Sequence, residues 1–194
     1  MSKNKNTSTR DRILDEAERM FHLKGVYSTS ISDLVEATGV QKGTIYHHFS
    51  DKQELAVSVV GRAGEEFLSF IRDSVTGKTP RERIYSFLEA AYKKHEKLGF
   101  VGGCPFGNMA LETSDTRPEL ATVVSEVFDD WAEILEREIR EAQECGQIRD
   151  EFSSETLAHH VIAVLEGGIM QGRLRKDATI FKSNIECLKR FLDS

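Results

Sequence analysis

Proline is scarce in this chain, with only 3 in 194 residues, and long runs of β-branched residues are missing. Both absences point to an all-helical protein. Cysteine is equally scarce: Cys104, Cys145 and Cys187 lie far apart and follow no metal-ligand spacing. A disulfide framework and a metal site are therefore not expected. No apolar run approaches the ~18 residues a membrane-spanning helix needs, so no membrane association is expected. MSKNKNTSTR at the start is polar and lacks an apolar signal core, which gives a cytoplasmic expectation. There is no phosphate loop, no metal-binding motif and no nucleophile–base–orienter pattern, which disfavours an enzyme and leaves no cofactor to expect. Internal repeats and low-complexity linkers are lacking too.

An overall basic charge is also missing. The net charge is −6, but it is unevenly spread. Residues 1–52 hold 8 Lys and Arg against 7 Asp and Glu, whereas the remainder holds 18 against 25. A mildly basic head on an acidic body suits a chain that touches nucleic acid with one end only. The imbalance by itself is slight, and the pattern of residues must carry the argument.

That pattern lies in Ser30 to Lys52. Ile31, Leu34 and Val35 have helical spacing, and Gly39 follows where a helix would stop. Ser30 and Asp33 suit a helix start. Ile45 and Phe49 anchor a second short helix, and Ser50 with Gln53 reads as a capping box for the next. Two short helices around a glycine turn are the helix-turn-helix pattern. The second helix spends only two positions on the core. Lys42, Thr44, Tyr46 and His47 are left on a polar face whose groups suit phosphates or base edges. Gly43 permits close backbone approach.

GVQKGTIYHHFSDKQEL resembles the signature of TetR/AcrR-type transcriptional regulators, roughly G-V-x-x-[GP]-[TS]-[LI]-Y-x-[HY]-F-x-[SDN]-K-x-x-L. The match extends over about residues 9–57, including a first helix from Thr9 to Lys24 ended by Gly25. The resemblance implies an all-α fold: a three-helix DNA-binding head over 9–52 and a helical ligand-binding and dimerisation body over 53–194. Residues 1–8 read as a disordered arm. Expected DNA contacts are Thr29, Ser30, Ser32, Lys42, Gly43, Thr44, Tyr46, His47 and Lys52. The family pattern assigns Thr44, Tyr46 and Lys52 to phosphates, and leaves Lys42 and His47 to read bases. Thr29, Ser30 and Ser32 can serve as caps as well. His48 is left open between head interior and surface.

Further along, helical periodicity predicts a long helix from about Asp51 to Asp73, running from the head into the body. Thr79-Pro80 with Glu82 starts another helix, ended by Gly99. Cys104 and Pro105 start a short one through Leu111. Three more are expected at about 118–145, 154–174 and 178–192.

A pocket is expected among the body helices. Phe70, Phe87, Tyr92 and Phe106 are candidate lining, as are Met109, Phe128, Trp131 and Met170. Asn108, His95, His160 and Glu166 are candidate polar groups. For each of these residues ordinary core packing is the competing reading. The two last helices carry wide apolar stripes. The resemblance assigns a four-helix dimer interface to them, here through Leu157, Val161, Val164 and Gly168 with Phe181, Ile185 and Leu188. A dimer suits a palindromic operator on double-stranded DNA.

Cys104 has two readings. It is either a small buried cap at the pocket wall, or a thiol whose pKa the helix start lowers below ~8.5. GGCPFGNMALE also resembles a segment of a TetR subgroup in which some members sense electrophiles or oxidants. The expected function is thus a homodimeric repressor released by a small-molecule effector, with a cysteine sensor on the same scaffold as the alternative.

Overall fold

The computed structural model describes residues 8–193, so the arm expected at residues 1–8 lies outside it save for Ser8. Among the described residues there are nine helices and no strand. They are α1 (Thr9–Lys24), α2 (Ile31–Thr38), α3 (Lys42–His48), α4 (Lys52–Ser74), α5 (Pro80–Lys97), α6 (Pro105–Thr113), α7 (Pro118–Glu144), α8 (Ser154–Arg175) and α9 (Thr179–Asp193).

Caps explain most of these boundaries. Ser8 caps α1 by accepting from the Asp11 amide at 3.1 Å. Ser30 and Asp33 form a reciprocal capping box on α2, and Thr79 with Glu82 forms another on α5. Gly39 ends α2 in the left-handed region, which a residue without Cβ adopts freely. The box expected at Ser50 and Gln53 is displaced by one residue. Asp51 is the cap and accepts from the Glu54 amide, while Glu54 reaches back to the Ser50 amide at 2.6 Å. Asp51 outcompetes the serine because its charge also suits the positive end of the helix.

α1, α2 and α3 close a small head over Leu34, Ile45 and Phe49, each no more than 1 % exposed. α4 is 23 residues, roughly 35 Å, and packs on both α1 and α7, meeting α7 from Gln53 beside Glu119 to Phe67 beside Trp131. Gly64 permits that approach, since a Cβ there would sit 2.8 Å from Val127. The α4 stripe is split. Gly64 and Leu68 are buried, whereas Ala63, Phe67 and Phe70 are only half-buried. Those three border a cavity.

The last two helices correct the expected dimer face. Leu157, Val161, Gly168, Phe181, Ile185 and Leu188 are buried within the single chain, and Val164 is half-buried. Phe181 fills the space over Gly168 and its ring lies 5.9–6.1 Å from Phe100, Tyr92 and His95. The inner stripes are therefore spent on the body's own core. α8 has a second apolar face, pointing out, on which Met170 is 56 % and Leu174 is 74 % exposed.

Candidate nucleic-acid interface and ligand cavity

In the head, Ile45 and Phe49 anchor α3, and the rest of that helix is turned to solvent. Lys42, Gly43, Tyr46 and His47 are exposed, and Thr44 and His48 are half-buried. The Lys42 ammonium lies 5.8 Å from the Tyr46 ring centroid. Gln41 is exposed as well and makes no side-chain cap, a surface group that the sequence reading overlooked. Nothing would crowd a Cβ at Gly43, so head packing does not demand glycine there. Ser30, the cap of α2, and Ser32 in its first turn are exposed.

Two expected contacts are corrected. Thr29 is fully buried, and its hydroxyl donates to the Gly25 carbonyl at 2.8 Å. Lys52 is turned inward. Its ammonium donates to the carbonyls of Val26 at 2.7 Å and Thr29 at 2.9 Å, with Tyr27 at 3.5 Å. Burial holds its pKa below the usual lysine range. A cation in the first turn of a helix looked misplaced because its partners, three loop carbonyls, are more than twenty residues away in sequence.

In the body, a cavity of about 300 Å³ opens between α1, α4, α5, α6, α7 and α8. Phe70, Phe87, Cys104, Phe106 and Trp131 line it, as expected. His95 and Glu166, two of the expected polar groups, line it too. Phe67, Lys94, Leu165 and Ile169 join them, and α1 contributes Glu18 and His22. Sequence periodicity gave no signal for these last two, because α1 belongs to the head.

Other expected pocket residues face elsewhere. Tyr92 donates its hydroxyl to Glu96 at 2.6 Å. Asn108 is held by the Gly102 carbonyl and by Arg173. Met109 is core, and Phe128 packs on Trp131 without reaching the cavity. His160 is exposed with its ring 5.2 Å from Phe191, and Met170 points to solvent. Adjacent helical positions diverge by about 100°, and periodicity alone could not say which side the cavity took.

The electrostatics of the cavity follow from its depth. Burial pushes the Glu166 carboxyl above its usual range and drives His95 down to about 4, so that imidazole is neutral at pH 7. Lys94 rests its ammonium 4.3 Å from the Phe70 ring and 5.7 Å from the Phe67 ring. Cys104 caps α6, accepting from the Gly107 amide at 3.5 Å. Yet burial first, and the Glu166 carboxylate second, raise its thiol pKa well above the ordinary value. Of the two readings of Cys104 this favours the small buried cap over the lowered thiol: the amides of Gly107 and Phe106 do not offset loss of solvent beside a carboxylate. Gly107 leaves room for Glu166, whose carboxyl occupies the place a Cβ would take.

α6 joins this cavity to the head. At its first end the Gly103 carbonyl meets His22 Nε2 at 2.9 Å. At its far end Glu112 accepts from the amides of Val26 at 3.0 Å and Tyr27 at 2.5 Å. A Cβ on Gly25, at φ 90°, would lie 2.8 Å from the same carboxylate. The Tyr27 hydroxyl meets Thr116, and Arg117 donates to Gln53 at 3.0 Å.

Among the described residues, no group of three or more His, Cys, Asp or Glu could hold a metal ion, and no helix is long and apolar enough to cross a membrane.

Comparison with known proteins gives the arrangement its context. Residues 13–59 match the family model of bacterial regulatory proteins of the tetR family, and residues 80–188 match the tetracyclin repressor-like C-terminal domain. The HTH-type transcriptional regulator LmrA of Bacillus subtilis is 30 % identical over 186 residues, covering 95 % of this chain and 96 % of that protein. The HTH-type transcriptional repressor DhaR of a Mycobacterium species is 24 % identical over 177 residues, covering 88 % of this chain and 85 % of that protein. The crystal structure of a TetR transcriptional regulator from Chloroflexus aurantiacus superposes with a TM-score of 0.86 at 34 % identity, covering 94 % of this chain and 93 % of that one. With its head and most of its body both matched, this chain belongs to the TetR family of helix-turn-helix transcriptional regulators.

Proposed function

We propose that the chain is a dimeric repressor that leaves its operator when a small molecule fills the body cavity. The observation that carries this reading is the composition of the cavity wall, in which Glu18 and His22 of the head stand beside body residues. A ligand there touches both units. α4 is one mechanical link. α6 is a second and shorter one of 9 residues, roughly 14 Å, with the cavity at its start and Glu112 gripping the α1–α2 loop at its end. A ligand that favours one position of α6 shifts the population of head orientations. The domain division follows these contacts: a head to about residue 52, and a body beyond it.

DNA contact is assigned to the exposed set Gln41, Lys42, Tyr46 and His47, with Gly43, Thr44, Ser30 and Ser32 near the phosphates. The dimer seam moves outward, to Ala163, Gly167, Met170 and Leu174 on α8 and to Ile180, Asn184 and Cys187 on α9. Both series follow the spacing i, i+4, i+7.

The test is selection from a random duplex pool, followed by binding of the recovered sequence. A palindromic site is expected, with Lys42→Ala altering base preference. Failure to enrich any site would sink the regulator reading for this surface. Met170→Glu with Leu174→Glu should give folded monomers by sedimentation, and a persistent dimer would place the seam elsewhere.

A further inference from the structure

With Lys52 spent on the carbonyls of the α1–α2 loop, the corner where α3 meets α4 lacks the cation that the family pattern sets against a phosphate. Another cation stands at that corner. Arg10, in the first turn of α1, is exposed, and its guanidinium carbon lies 5.0 Å from the ring centroid of Phe49, the residue that ends α3. Phe49 is itself only 1 % exposed, so a core ring fixes the place of an arginine from a different helix.

The neighbouring head cations are committed or distant. Arg12 donates to the Thr38 carbonyl at 2.7 Å, and Arg19 pairs with Glu16. Lys24 lies at the far end of α1, roughly 21 Å from Arg10. Arg10 makes no hydrogen bond or ion pair among the described residues. Two carboxylates share its corner, and each is tied to a backbone amide: Asp51 accepts from Glu54 at 2.8 Å, and Glu54 accepts from Ser50 at 2.6 Å. The guanidinium keeps its fork of donors, and it is held at one spot. A fork of that kind matches two oxygens of one phosphate. Spacing supports the same partner. From Lys42 to Phe49 the chain advances roughly 10 Å along α3, close to the ~12 Å width of the major groove. With Lys42 at the base edges, Arg10 comes to the sugar–phosphate backbone that borders the groove.

We infer that Arg10 is the phosphate anchor at the end of α3, in the place from which Lys52 is withdrawn, and that it sets the seating of α3 without reading sequence. This rests on the reading of the exposed α3 face as the DNA surface.

The full chain and its Arg10→Met and Arg10→Lys variants are titrated with the selected duplex and with a scrambled duplex of equal length, from about 50 to about 200 mM salt. Arg10→Met covers Phe49 without charge. It should lower the salt slope by roughly one for each bound head, equally on both duplexes, and leave the gap between the selected site and its single-base variants unchanged. Arg10→Lys keeps the charge and should keep the slope, while losing part of the affinity with the fork. Should the methionine variant lose its fold, Arg10→Gln repeats the slope measurement. A parent slope that loss of the Arg10 charge leaves intact would overturn the inference. So would a change of base preference in Arg10→Lys, which would make Arg10 a base reader. A parent chain that binds neither duplex fails in a different way, and would overturn the reading of the α3 face itself.

Discussion

The head and the cavity treat their polar groups in opposite ways. In the head the inward-turned groups are partnered: Thr29 with Gly25 and Lys52 with three loop carbonyls. The groups left over, Gln41, Lys42, Tyr46 and His47, stand in water, which serves them at little cost. Among the cavity residues, Trp131 Nε1, His95 Nδ1 and Glu166 Oε1 are buried with no hydrogen-bond partner among the described residues, each at about 1–3 kcal/mol, although the Glu166 carboxyl also bonds the Cys104 thiol. The head is thus a settled reading surface, and the body carries a free-energy cost that a ligand can relieve.

The largest expected effect would break the body alone. Leu188→Glu puts a charge at a position 2 % exposed and should cost more than about 3 kcal/mol, read as a lowered denaturant midpoint. An unchanged midpoint would return Leu188 to the surface. Next comes pH. His95 titrates at about 4 when folded against ~6.5 unfolded, so the unfolded chain binds the extra proton between those values. Stability should fall as pH drops from 6.5 towards 4, by up to about 3 kcal/mol. His95→Phe should flatten that window, and an equally steep profile in the variant would assign the loss to another group.

Severing the link between the two regions should cost less. Glu112→Ala removes the acceptor of two amides, worth about 1–3 kcal/mol. Hydrogen exchange at Val26 and Tyr27 should speed up while the body's amides are unaffected; uniform exchange across the chain would mean the two regions open together. Within the head, Lys52→Ala should lose about 1 kcal/mol of stability but leave the salt slope of DNA binding unchanged. Lys42→Ala should instead relax base preference, read as a reduced gap between the selected site and its single-base variants. A drop in slope for Lys52→Ala would return that lysine to the DNA. The smallest effect is a matter of order. Timed alkylation should label exposed Cys145 first and buried Cys104 last. Cys187 should slow as protein concentration rises if it lies in the dimer seam, and early labelling of Cys104 would revive a thiol sensor.

Helix boundaries were legible because they are local. Capping boxes at Ser30 and Thr79, prolines at 80, 105 and 118, and the stop at Gly39 act within one turn. Where boundaries slip the causes are local too: Ser50 reads as the cap in place of Asp51 because both can cap, and α6 runs past the expected Leu111 to Thr113. The exposed face of α3 was legible for the same reason, since two anchors fix the rotation of a seven-residue helix.

Direction was not legible wherever a helix had two apolar sides. The α8 pattern allowed Leu157, Val161 and Gly168 to face either a partner or the chain's own core, and α7 and α9 settled it by covering them. The partners of Lys52 lie more than twenty residues away, and Glu166 lies about sixty residues beyond Cys104, so neither the inward lysine nor the raised thiol pKa had a local sign. The sequence by itself determined the helices, their caps and the DNA-facing motif, all products of interactions within a few residues. Tertiary structure alone decided which faces meet, and with them the cavity, its unpartnered atoms and the outer seam, because burial and electrostatic neighbours depend on contacts between distant segments.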